Sequence, residues 1–529
     1  MPEPQRLDVT PEQMAAVIQR ARDRCLAEED YELIAAMGES ILFLRQAFEE
    51  KRISERRLLR MLFGPSTESS KSILENKTPT ESTTQQKKKR KGHGKRGADA
   101  YPGAQKVGVP HREMKAGDRC HLCQKGKICN GMGPGKLIRF KASIPITAKV
   151  YELQKLRCNL CGEVFTAPVP EEAGKQKYDE TTGAMIGVLK YGFGLPFHRI
   201  EKLQESVGIP LSASTLWEIV DRMVETISPA YKELIAAAAQ GQVIHNDDTT
   251  MKVLALFNLR DQRKLDEEEE DSERTGCFTS GFLSELDDRK IALYFTGEHH
   301  AGENMETLLE KRKNDHGPPI QMCDALSRNL PKSFQTILGN CLSHARRYFV
   351  NVIEDFPSEC RHVIETLGDV YKNDEVAREK KMPPDQRLAF HQSESKPLMD
   401  KLEMWLHEQL DQKKVEPNSG LGKAISYMIK HWIPLTLFLR VENAPLHNNL
   451  CEQVLKRAVL HRKNSLFFKS FRGAYVGDAL MSLIQTCNLA GVNSFEYLTA
   501  LQLNNTKLKQ NPDQWMPWNY KSAIQTGGP

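Results

Sequence analysis

The sequence predicts a multidomain α+β protein in which a strand-rich α/β section near residues 241–350 lies between helical ones. Three observations predict it. The chain has 529 residues, far more than one hydrophobic core serves at roughly 150 residues per domain. Its apolar spacing changes from three-or-four to two and back to three-or-four along the chain. A long polar segment and a cysteine-bearing segment separate the first helical region from the rest.

Residues 1–64 read as helical, with a start signal at Thr10-Pro11 and apolar Leu33, Met37, Ile41, Leu44 and Phe48 on one stripe. That stripe suits either a coiled-coil dimer seam or a hairpin packed on its own chain. Residues 65–110 are rich in Ser, Thr, Gln, Lys and Gly, a composition that buries too little apolar surface to order itself, and they predict a basic, disordered linker. Residues 111–172 combine short alternating strands such as VYELQKLRC with two cysteine pairs and predict a small zinc ribbon. Over 173–240, LPFHRIEKLQESVGIPLSASTLWEIVDRMV gives helix, a turn at Gly208, a Ser212/Ser214 cap and a second helix, which is helix-turn-helix grammar. Strand-like runs follow at QVIHND, MKVLALF, CFTSGFL, KIALYF, PIQMCD and TILGNCLSH, with a helical stretch near Asn304 to Asn314. Residues 351–440 read as a helical insertion, 441–490 as a further helical part of the core, and 491–529 as a short aromatic tail.

Composition limits the function classes. Hydrophobic residues are 40% and charged residues 27%, and no apolar run approaches the roughly 20 residues of a membrane helix. The opening MPEPQRLDVTPEQ lacks the basic and apolar regions of a signal peptide, so the expectation is a cytoplasmic protein with reduced cysteines and no membrane partner. The net charge of +5 averages over opposed tracts: KKKRKGHGKR carries seven Lys or Arg, whereas Asp266 to Glu273 carry seven acids in eight positions. The basic tract, through Lys87, Lys88, Lys89, Arg90, Lys91, Lys95 and Arg96, suits phosphate contact with counterion release and cannot read sequence.

Cys120 and Cys123, then 34 intervening residues, then Cys158 and Cys161 supply two thiolate pairs for one tetrahedral Zn²⁺. A four-thiolate site is closed, so that metal is expected to be structural. The second constellation is acidic. Asp247 closes QVIHND, Asp324 follows PIQMC, and Glu452 lies in a distant helical segment, so three elements could converge on one pair of Mg²⁺ or Mn²⁺ ions. A strand–strand–strand–helix–strand order between the two Asp residues is what an RNase-H-like fold would show. Glu442 is the alternative third acid. His344, Arg346, Arg347 and Lys456 stand near these acids in the sequence, where they fit either DNA backbone contact or structural ion pairs.

The motifs HNDDTT (His245–Thr250), GNCLSHARRYF (Gly339–Phe349) and NNLCEQVLKRAVLHRKNSLF (Asn448–Phe467) resemble the DDE transposases of the insertion-sequence-66 family. So do LLRMLFG, GHGKRGADAYPGA, YGFGLPFHRIEKL and the tail around MPWNY, along nearly the whole chain. The resemblance implies an RNase-H-like catalytic core with a helical insertion between the second Asp and the Glu, and an acidic triad on Asp247, Asp324 and Glu452. It implies double-stranded DNA partners (element ends and target), a homo-oligomer on DNA, accessory proteins of the same element, and a bacterial, nucleoid-associated setting. The alternatives are an RNase-H-like nuclease or resolvase that cuts without joining, and a non-catalytic DNA-binding regulator or degenerate copy.

Overall fold

The computed structural model describes residues 145–157, 164–174, 176–257 and 276–526, with isolated positions 20, 30, 31, 118 and 127. The chain divides into two units, Met1–Thr80 and Glu81–Pro529. In the first, Arg20 donates two hydrogen bonds to the Asp30 carboxylate, at 2.7 and 2.9 Å. The second carries the sheet. The basic tract from Lys87 to Arg96 and the four cysteines Cys120, Cys123, Cys158 and Cys161 lie outside the described residues. Of the expected strand VYELQKLRC, only Lys155–Arg157 (β1) is extended in a ladder, pairing antiparallel with Val164–Thr166 (β2).

The helices α1 (Glu180–Gly187), α2 (Phe197–Ser206) and α3 (Ala213–Ala238) come next, with a π-helical turn continuing α1. Between α2 and α3 the chain reverses at Gly208, whose φ of 77° a side chain would oppose. Ser212 then caps α3 by accepting the Thr215 N–H at 3.2 Å. The two helices and glycine turn are present, but α3 runs 26 residues. Its stripe of Leu216, Val220, Met223, Val224, Ile227, Tyr231 and Leu234 is buried, because it packs on α1 and on the sheet.

Five strands form one mixed sheet: β3 (Val243–Thr250), β4 (Phe278–Leu286), β5 (Arg289–Gly297), β6 (Ile320–Cys323) and β7 (Ile337–Asn340). Their order is β5-β4-β3-β6-β7, with the first three antiparallel in succession and β3, β6 and β7 parallel. A parallel return needs a crossover, here through β4, β5 and α4 (Ala301–Leu309), which gives strand–strand–strand–helix–strand between Asp247 and Asp324. All four residues of β6 are buried, Gln321 with its amide hydrogen-bonded, as in a strand covered on both faces. MKVLALF, expected as a strand, is not one. Val253 makes a single bridge to Phe468, and Leu254 to Phe257 are helical.

After β7 comes the helical insertion: α5 (Leu342–Asn351), α6 (Pro357–Glu379), α7 (Pro384–Glu394), α8 (Lys396–Asp411) and α9 (Gly420–Lys430). Helices α6, α7 and α8 each begin with a proline in the first turn, where no N–H is missed. The chain then returns to the sheet with α10 (Asn449–Ser465) and α11 (Phe471–Leu489). The aromatic tail is part of the core: Trp515, Met516 and Tyr520 are buried, and Tyr497 donates to the Trp515 carbonyl at 2.8 Å.

Helix α11 solves the problem of the exposed edge at β5. Asp478, Ser482 and Thr486, one turn apart, accept the N–H groups of Thr296, Tyr294 and Ala292 at 2.7, 3.0 and 3.1 Å. Four helical residues rise about 6.0 Å and two strand residues about 6.6 Å, so the two periods stay in step over three bonds. The edge donors are thereby paired without another strand. Burial pushes the Asp478 carboxyl up to about 8, while its bonds from Thr296 oppose the shift. Among the described residues no helix is long and apolar enough to cross a membrane.

Candidate active site

In the antiparallel β3–β4 ladder, Asp247 lies opposite Gly281 and Asp248 opposite Ser280, so the two adjacent acids serve opposite faces of the sheet. Asp248 is spent on structure. Its side chain is 2% exposed and accepts hydrogen bonds from Ser280 Oγ at 2.7 Å, His300 Nδ1 at 2.9 Å and the Ala301 N–H at the start of α4 at 3.1 Å. Asp247 instead keeps one oxygen on the Asp248 backbone N–H at 2.8 Å and looks toward α10.

Parallel pairing brings in the second acid. His245 is in register with Met322, so two residues further on, Asp247 and Asp324 stand level at the carboxyl ends of neighbouring strands. Asn329, from a short 3₁₀ turn, donates to Asp324 Oδ1, and its own carbonyl accepts from the buried amides of Asn246 and Gln321 at 2.9 and 2.7 Å. The orientation of Asp324 is thus tied to the sheet interior.

Glu452 occupies the first turn of α10. Asn448, just before that helix, donates to the Asn246 carbonyl at 3.0 Å and accepts from His245 Nδ1 at 3.0 Å. The amide oxygen can only accept, so Nδ1 is the donor in this bond. Cys451 Sγ donates to the Gly281 carbonyl at 3.2 Å. A Cβ at Gly281 would stand 2.7 Å from Leu455 Cδ2, so glycine is what lets α10 approach β4 beside Asp247.

Burial is the main cause that drives the Asp247 carboxyl up to about 7; the Asp248 N–H opposes it, and Asp324, Asp248 and Glu452 add to it. Glu442 is not among those charges. It is exposed, in the loop before α10. His344 Nε2 of α5 lies 3.6 Å from Glu452 Oε1, and that buried oxygen receives no hydrogen bond from the described residues. Lys456 is exposed one turn beyond Glu452, and Arg347 is half-buried on α5. Arg346, expected to meet DNA or an ion-pair partner, is only 6% exposed, beside Tyr371, and is withdrawn from any phosphate. Asp247, Asp324 and Glu452 are hard oxygen donors whose charges reach one another, the ligand type a divalent cation such as Mg²⁺ or Mn²⁺ takes, but among the described residues the ligand atoms that lie within 4.8 Å of one another are those of Cys341, His344 and Glu452, not of these three acids.

The motif reading named the acids and missed what orients them. His245, Gly281, Asn329 and Asn448 carry no charge pattern, and only Asn448 and His245 fall inside quoted motifs.

The chain is 25% identical over 414 residues to the uncharacterized protein y4hP of Sinorhizobium fredii, covering 72% of this chain and 70% of that one. It is 26% identical over 388 residues to the uncharacterized protein y4jD of the same organism, covering 70% and 72%. A sequence profile described as the transposase IS66 family matches residues 175–475, which include all five strands of the sheet, the insertion and α10. The match takes in more than half of the chain, and the protein belongs to the IS66 family of transposases.

Proposed function

We propose that the protein is a DNA transposase that cuts and joins DNA strands at Asp247, Asp324 and Glu452, in a core of RNase-H-like type. The observation that carries this reading is that parallel pairing of β3 with β6 sets Asp247 and Asp324 level on neighbouring strands while Glu452, in the first turn of α10, comes close enough for its charge to raise the buried Asp247 carboxyl. A sheet of three antiparallel strands followed by two parallel ones, with the first acid on its central strand, supports the fold assignment.

Mg²⁺ or Mn²⁺ held by the three carboxylates would activate a water or 3′-hydroxyl for in-line attack on a phosphodiester and stabilise the leaving oxygen. The protein's own part is orientation. The Asp248 N–H holds Asp247, Asn329 holds Asp324, and Asn448 ties the start of α10 to β3. His344 beside Glu452, Arg347 on α5 and Lys456 on α10 would meet the DNA backbone. Hydrolysis followed by transesterification needs no covalent enzyme intermediate. Element ends would be recognised by the parts before residue 240, with Cys120, Cys123, Cys158 and Cys161 holding one structural Zn²⁺ and the basic tract meeting phosphate.

The test is incubation of the full chain and Mg²⁺ with DNA carrying the ends of its element. Cleavage and joining are expected, and Asp247→Asn, Asp324→Asn and Glu452→Gln should each abolish both while Glu442→Gln does not. Gel-shift affinity for the ends should stay within a few-fold. Cleavage without joining would make the protein a nuclease, and binding with no cleavage in either metal would make it a regulator; each outcome overturns the proposal.

A further inference from the structure

A second set of donors adjoins Glu452, and it is chemically unlike the first. Cys341 precedes α5 and His344 lies in its first turn, with the His344 N–H bonded to the Cys341 carbonyl at 3.1 Å. This turn brings the thiol sulfur, an imidazole nitrogen and a Glu452 carboxylate oxygen within 4.8 Å of one another. Cys341 Sγ is held toward the start of α10 by accepting the Asn448 N–H at 3.2 Å. Glu452 Oε1 is buried and accepts no hydrogen bond from the described residues, with His344 Nε2 facing it at 3.6 Å.

Mg²⁺ takes oxygen ligands and has no use for a thiolate, whereas one sulfur, one imidazole and one carboxylate make a typical zinc donor set. We propose that Cys341, His344 and Glu452 form a site for a soft divalent cation, Zn²⁺ by its chemistry, which competes with Mg²⁺ for Glu452. Zinc donor atoms in a tetrahedron sit roughly 3.4–3.7 Å apart; His344 Nε2 and Glu452 Oε1, at 3.6 Å, already have that spacing, and the sulfur needs to close by at most about 1 Å. Binding releases the Cys341 thiol proton to solvent and leaves a fourth position for water. Occupation of this site takes the third carboxylate away from the magnesium set, which makes zinc an inhibitor. The inhibition rests on the function proposed above, whereas the binding does not.

The experiment starts with full-length protein brought to one zinc per chain, enough for the proposed four-cysteine module and no more. Co²⁺ is titrated in, and the thiolate-to-cobalt charge-transfer absorption is followed. A band from one further equivalent is expected in the parent, absent in Cys341→Ser and weakened at least about tenfold in affinity in His344→Ala. Serine keeps an acceptor for the Asn448 N–H, and an unchanged melting curve verifies that the variant folds. In Mg²⁺-dependent cleavage of end DNA, Cys341→Ser should keep its rate and need at least about tenfold more Zn²⁺ for half inhibition. Absence of the band in the parent, or its persistence in Cys341→Ser, overturns the site. Equal zinc sensitivity of parent and variant overturns the competition. If the parent does not cleave DNA, the transposase reading fails while the cobalt band still decides the site.

Discussion

Replacing Asp247 by Asn should make the metal-free protein more stable while removing its activity. Burial first, then Asp324, Asp248 and Glu452, against the opposing Asp248 N–H, move this carboxyl from 3.8 to about 7. At about 1.4 kcal/mol per unit, that shift costs the folded state about 4 kcal/mol where the group is ionised in both states. The folded protein binds this proton more tightly than the unfolded chain does. Its contribution is therefore fully present below pH 3.8 and is lost as pH rises through about 7. Asn has nearly the same shape and no charge, so it removes the penalty, and its amide against neighbouring groups leaves a net gain of about 2–4 kcal/mol. Denaturant unfolding of protein carrying no more than one zinc per chain, free of Mg²⁺, should show Asp247→Asn more stable than the parent at pH 8 and the two converging near pH 4. Added Mg²⁺ should then stabilise only the parent, since a ligand of the native state shifts unfolding by mass action. A variant less stable than the parent at pH 8, or a difference that does not change with pH, would refute the reasoning.

Other substitutions probe the supports. Gly281→Val puts a side chain into Leu455, so it should cost about 1–3 kcal/mol and lower cleavage far more than DNA binding, read by denaturation and gel shift on one preparation. Cys158→Ser should drop the zinc content by about one ion per chain and expose residues 120–170 to limited proteolysis, checked by metal analysis and peptide mapping. Neutralising Lys87, Lys88, Lys89, Arg90 and Lys91 should weaken binding alike for end and random DNA and flatten its salt dependence; loss of discrimination alone would assign the tract to sequence reading.

Much of this architecture is legible in the sequence because period and charge report it locally. QVIHND, CFTSGFL, KIALYF and PIQMC alternate or run apolar and are strands, and the acids that end two of them are visible as breaks in those runs. MKVLALF has the same apolar content but is held by one bridge to Phe468, more than two hundred residues away, and local pattern carries no trace of that partner. DALMSLIQT reads as a helix. That its polar Asp478, Ser482 and Thr486 cap the edge of β5 follows from a match of helix rise to strand rise, which only the packed structure reveals. The acids of the site are legible by type, whereas Asn448, Asn329 and Gly281 act through position: an amide bond to β3, a bond to Asp324, and the absence of a side chain. Arg346 looks like a phosphate ligand in RRYF, but its place on the inner face of α5 turns it inward.

The most direct test of the central claim, that Asp247, Asp324 and Glu452 act as one metal site, is a calorimetric Mn²⁺ titration, at neutral pH, of protein carrying no more than the one zinc per chain of the proposed four-cysteine module. Binding by the parent should weaken at least about tenfold in each of Asp247→Asn, Asp324→Asn and Glu452→Gln, and stay unchanged in Glu442→Gln. Mn²⁺ affinity that survives loss of Asp247 and of Asp324 would contradict the account.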